Sequence, residues 1–117
     1  MRVQRSEVGV GVLDDVLYAV GGWDDTQVWS SVEAYRPSTG VWSTIPDMHS
    51  SRIGAGVAVL GGLLYVIDGG DGFNFLDSVE SYNPKTLKWT MLTASMNVSR
   101  AFAGAVAIDM ARYFKTC

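Results

Sequence analysis

The sequence predicts an all-β chain: two four-stranded antiparallel blades and one strand of a third, an incomplete β-propeller. Three observations carry this prediction. Ser31-Val32-Glu33-Ala34-Tyr35-Arg36-Pro37 returns 47 residues later as Ser78-Val79-Glu80-Ser81-Tyr82-Asn83-Pro84. Trp42 and Trp89, Tyr18 and Tyr65, Arg5 and Arg52, and Gly9 and Gly56 keep the same step. Within each copy, short apolar runs alternate with turn residues, and no stretch has a helical period. A constant step of this size marks one supersecondary unit used repeatedly. Such units bury their apolar faces only by stacking on neighbours.

Each element follows from its residues. The first strand, Val8–Leu13 and its copy Ala55–Leu60, alternates small and β-branched residues, which suits a tightly packed inner strand. Asp14-Asp15 and Gly61-Gly62 come next. Two-residue turns with positive φ favour these residue types, so each predicts a hairpin. Val16–Val20 and Leu63–Ile67 are apolar throughout, as in strands covered on both faces. Polar loops over 23–30 and 71–77 lead to a third strand, Ser31–Tyr35 and Ser78–Tyr82. Pro37 and Pro84 mark the following turns, because proline fixes φ and cannot donate to a ladder. The fourth strand, Val41–Ile45 and Lys88–Leu92, carries Trp42 and Trp89. Four short strands per repeat describe a propeller blade.

Composition narrows the function classes. The chain has 117 residues, 48% hydrophobic and 18% charged, which is globular rather than disordered. Net charge is −3 and the Lys and Arg residues are scattered singly, so no nucleic-acid surface is expected. The longest uncharged run, 53–67, is shorter than the roughly 20 residues that cross a bilayer. Its counterpart is broken by Asp14-Asp15, so the run reads as two strands and a turn, with no membrane span. No secretory signal is visible, and the lone Cys117 permits no internal disulfide. A reducing, cytoplasmic location fits.

Enzyme signals are poor. His49 is the only histidine and reads as a solvated loop residue. A His-based metal cluster is therefore excluded, as is a copper propeller oxidoreductase that needs paired histidines. No nucleophile-elbow, Cys-x-x-Cys or phosphate-loop motif occurs. Asp24-Asp25 and Asp71 are calcium-ligand types, but their spacing is not that of an EF-hand. Asn97-Val98-Ser99 fits a glycosylation sequon and, without a secretory signal, is read as unused. No catalysis, cofactor or metal is expected.

Leu17-Tyr18-Ala19-Val20-Gly21-Gly22, then Ser31 to Pro37, then Trp42, resemble the kelch repeat. Its hallmarks are a di-glycine after the second strand, then a Tyr and a Trp at fixed spacing. Gly69-Gly70, Tyr82 and Trp89 supply them again, and the resemblance covers Arg5 to about Ile108. The opening Arg52-Ile53-Gly54-Ala55-Gly56-Val57 is most similar to kelch domains of BTB–kelch proteins. The resemblance implies repeats over 5–51 and 52–99, the start of a third over 100–109, and a non-repeat tail over 110–117. Propellers have about four to eight blades. The chain is therefore read as part of a longer protein. Its two open blade faces predict self-association or a missing partner. The strand Phe102–Ile108 would also lack its hairpin partner.

Two departures stand out. Asp68 occupies the place of the first glycine of the pair, and Glu7 the place of Gly54.

The resemblance implies a non-catalytic protein-interaction module. Members of this type serve as substrate receptors of cullin–RING ubiquitin ligases, and some bind actin, which is the alternative reading. Structural roles are assigned to Gly21, Gly22, Tyr35, Trp42, Gly69, Gly70, Tyr82 and Trp89, with Glu33 and Glu80 fixed by hydrogen bonds. Family members bind peptides on the loop face, often through an Arg that opens a repeat. Partner binding is thus assigned to Arg5, Trp23, Asp24, Arg52, Asp71, Phe73 and Arg100. For the three arginines, a structural pairing with loop backbone or a carboxylate is the alternative.

Overall fold

The computed structural model describes residues 1–76 and 78–92. Arg100, the predicted strand Phe102–Ile108, the sequon and the 110–117 tail lie outside the described residues.

Among the described residues, eight strands make two sheets. The first holds β1 (Gly9–Leu13), β2 (Val16–Val20), β3 (Val32–Arg36) and β4 (Val41–Ile45). The second holds β5 (Gly56–Leu60), β6 (Leu63–Ile67), β7 (Val79–Asn83) and β8 (Lys88–Leu92). Each sheet is antiparallel in sequence order, so each repeat is one blade. The hairpin turns take the positive φ expected of them, 50° and 63° at Asp14 and Asp15, 59° and 78° at Gly61 and Gly62. The third strand of each blade lies one residue later than expected, with Arg36 paired to Val41 and Asn83 to Lys88. No helix among the described residues is long and apolar enough to cross a membrane.

The core lies between the blades. Leu13, Tyr18, Val20, Val32 and Ala34 of the first blade meet Leu64, Val66, Tyr82 and Trp89 of the second. Fully burying a side chain such as Leu64 stabilises by roughly 1.5–3 kcal/mol. Close approach requires the small residues of β1. A Cβ on Gly11 would lie 2.6 Å from Val57 Cγ1 and 3.0 Å from Leu64 Cδ1. Tyr18 and Tyr82 meet edge-on with centroids 6.0 Å apart. The Trp89 indole N–H donates to the Pro46 carbonyl at 2.6 Å, tying the second blade to the end of β4.

Register explains which face stays open. Val12, Leu17, Tyr35 and Trp42 form one row across the first blade. Their counterparts Val59, Leu64, Tyr82 and Trp89 form the row packed on the first blade. The earlier row therefore faces outward. Val10 and Val12 are exposed there, and Tyr35 and Trp42 stack at 4.9 Å while only half-buried.

Candidate functional site

Beneath the loops sits a buried ionic unit, built twice. Arg5 Nε donates to Glu33 Oε2 at 3.0 Å, and its terminal nitrogens donate to Gly21 O, Ser31 O and Ser31 Oγ. Arg52 repeats this 47 residues on. It donates to Glu80 Oε2 from Nε at 3.2 Å and from a terminal nitrogen at 3.1 Å. It also donates to Asp68 O, Ser78 O and Ser78 Oγ. The carboxylates are closed from the other side. Arg2 N–H donates to Glu33 Oε1, as His49 N–H and Ser50 N–H donate to the two oxygens of Glu80. The expectation that Glu33 and Glu80 are fixed by hydrogen bonds is met.

Burial would raise the Glu33 pKa. The Arg2 amide, with the hydrogen bond and charge of Arg5, outweighs it and holds the carboxyl below its ordinary value.

For Arg5 and Arg52 this geometry is that of the structural alternative, a pairing with loop backbone and a carboxylate. Their residues are 7% and 0% exposed, and their donors are spent on strand ends and a carboxylate. A buried guanidinium must be paired, and here the pairing is internal. Arg5 also lies 6.0 Å from the Trp29 ring centroid, and Trp29 donates to Gln4 O. His49 is less isolated than expected: its Nδ1 lies 3.0 Å from Glu80 Oε1, with half the side chain exposed.

The remaining described candidates, Trp23, Asp24, Asp71 and Phe73, do reach the surface. Trp23 is exposed, and Phe73 and Phe75 are 94% and 99% exposed. Asp24 and Asp71 shape the loops that carry them. Asp24 Oδ1 accepts from Thr26 N–H, Thr26 Oγ1–H and Gln27 N–H; Asp71 Oδ1 accepts from Phe73 N–H and Asn74 N–H. The Thr26 hydroxyl bond chiefly lowers the Asp24 pKa, and the Asn74 amide bond that of Asp71, so both stay ionised.

A cleft of about 650 Å³ opens beside these loops, lined by Glu7, Ile53, Gly54, Asp68, Phe73 and Phe75 among others. Trp23, Asp24 and Val28 line a second hollow that shares Glu7, Ile53 and Gly72 with the first. The structure thus brings Phe73 together with Glu7, Asp68 and Phe75, which were not assigned to the site from sequence. The only signal for Glu7 and Asp68 was their departure from the repeat.

The model of the Kelch motif matches residues 4–49 and 51–96. The chain belongs to the kelch-repeat family. The kelch chain is 41% identical over 44 residues to "Kelch repeat and BTB domain-containing protein 2" of Ectromelia virus (strain Moscow), covering 38% of this chain and 8% of that protein. It is 44% identical over 55 residues to Alpha-scruin of Limulus polyphemus, covering 46% of this chain and 6% of that protein. The match thus spans less than a tenth of either relative's length. The two Arg–Glu units hold the most buried charges among the described residues, and their arginines donate to the carbonyls of Gly21 and Asp68, just ahead of Gly22 and Gly69.

Proposed function

We propose that this kelch chain is a non-catalytic protein-binding module that presents its loop face to a partner protein. The observation that carries this is the pair Phe73 and Phe75, almost fully exposed on a loop pinned by Asp71 and seated over a buried ionic scaffold. Aromatic side chains presented on loops of a rigid scaffold are favoured at interface hot spots. Trp23, Asp24, Asp71 and Phe73 are the proposed partner-facing residues. As part of a longer cytoplasmic protein, the module would select substrates for a cullin–RING ubiquitin ligase. The match to a protein named for kelch repeats and a BTB domain supports this reading.

Partner capture from a cytosolic extract, compared with a Phe73→Ala/Phe75→Ala variant, tests the loop face. Partners kept by the wild type and lost by the variant support it. An unchanged partner set overturns it. An actin-associated role, the alternative implied by family resemblance, is separated by co-sedimentation with actin filaments. Pelleting with filaments favours it over the adaptor role.

A further inference from the structure

Two acidic residues replace glycines of the repeat, and both line one cleft. Glu7 stands where the second blade has Gly54, and Asp68 where the first blade has Gly21. All four adopt left-handed backbone: φ is 52° at Glu7 and 56° at Asp68, against 65° at Gly54 and 62° at Gly21. A side chain in this region costs roughly 1–2 kcal/mol that glycine avoids. Asp68 carries a second cost. Its Oδ1 is buried and, among the described residues, is the one buried side-chain oxygen without a hydrogen-bond partner. A buried polar atom left unsatisfied is destabilising and calls for a reason.

The backbone does not supply that reason. The role of position 68 in the scaffold is its carbonyl, which accepts from Arg52 just as the Gly21 carbonyl accepts from Arg5. Glycine would serve there equally. The charge of Arg52 is matched by Glu80, and that of Arg5 by Glu33. Among the described residues no Lys or Arg lines the cleft, so none of the described cations faces its two carboxylates. Phe73 and Phe75 stand on its rim, beside Ile53 and Leu76.

We infer that this cleft receives a lysine or arginine side chain of a partner peptide, flanked by an apolar residue that packs on Phe73 and Phe75. The inference rests on the loop-face reading above and names the chemistry of its partner. Glu7 and Asp68 would take the cation in a charge-assisted contact. The aliphatic stem of a Lys or Arg suits an aromatic rim, which adds cation–π attraction. An acidic peptide would meet like charge and be rejected.

Fluorescein-labelled peptides Gly-Ser-Phe-X-Leu-Ser-Gly, with X as Lys, Gln or Glu, titrated into the full chain test this by fluorescence anisotropy. Amide NMR shifts of the loops locate the binding. The Lys peptide is expected to bind at least about fivefold more tightly than the Glu peptide, and added salt should shrink the difference. Glu7→Gly/Asp68→Gly restores the residues found at the equivalent positions and should fold. It is expected to erase the preference while retaining apolar binding. Charge-blind binding at the loops, or a preference that survives the double substitution, overturns this inference and leaves the loop-face reading standing. Failure of all three peptides to shift the loop amides counts against both.

Discussion

Arg52 lies 3.1 Å from Glu80 with both side chains fully excluded from solvent, an arrangement that duplicates Arg5 and Glu33 one blade earlier. The pair does more than neutralise charge. Arg52 joins the ends of β6 and β7, and Glu80 captures the amides of the segment that enters the second blade. One ion pair thus fastens three chain segments, and its position below the loops sets the shape of the face above.

Removing one member should be severe. Arg52→Ala leaves Glu80 buried without its counter-charge and is expected to lower stability by about 3–5 kcal/mol. Arg52→Lys should recover little, since an ammonium cannot reproduce the planar fork. Urea unfolding followed by tryptophan fluorescence reads both. A midpoint for Arg52→Ala close to wild type would show that the pair is dispensable.

Glu33 predicts an acid-sensitive stability. Its folded pKa is held below the ordinary 4.5, so its contribution is present above that value. It is lost as pH falls through 4.5 toward the lowered folded value. Glu33→Gln should be less stable at neutral pH, and its stability should fall less steeply on acidification. Parallel melts from pH 7 to pH 3, as an approximate range, check the sign. Identical acid limbs would remove Glu33 from the explanation.

At the blade junction, Gly11→Ala is expected to cost about 1–3 kcal/mol, because the new methyl has no room against Val57 and Leu64. Val57→Ala in the same chain should recover part of the loss. A double-mutant cycle with no coupling would mean that the blades do not meet at Gly11 as described.

Glycine at positions 7 and 68 should stabilise. Relief of left-handed backbone and, at Asp68, of an unsatisfied oxygen predicts a gain of a few tenths to about 1 kcal/mol for each of Glu7→Gly and Asp68→Gly. Thermal melts measure it. A loss at either site would give the carboxylate a structural role.

The open row Val12, Leu17, Tyr35 and Trp42 matches the row by which the second blade packs on the first. A further blade or a second copy fits such a surface. Light scattering of the isolated chain should therefore show association, weakened by Val12→Lys at the exposed β1 end of the row. A monodisperse wild-type monomer would oppose self-association.

Much of this fold was legible before any coordinate. Asp14-Asp15 and Gly61-Gly62 announce hairpins through backbone preferences that act locally. The 47-residue step aligns Tyr35 with Tyr82 and Trp42 with Trp89 whatever surrounds them. The site was legible only in part. Trp23 and Phe73 lie exposed on their loops as read, whereas Arg5 and Arg52 turn inward. An arginine at the opening of a repeat has the same sequence whether its guanidinium faces solvent or a carboxylate 28 residues away.

By itself, the sequence determined the strand count of each blade, the turn positions and the family, because these rest on short-range periodicity and repetition. Only the tertiary structure decided which charges are spent on the buried scaffold. Burial of Arg52 depends on Glu80, Ser78 and Asp68 arriving from other strands. The meeting of Glu7 with Asp68 and Phe73 depends on two blades packing through Gly9 and Gly11. Desolvation and charge pairing belong to neighbours in space, and those neighbours exist only once the blades have closed on each other.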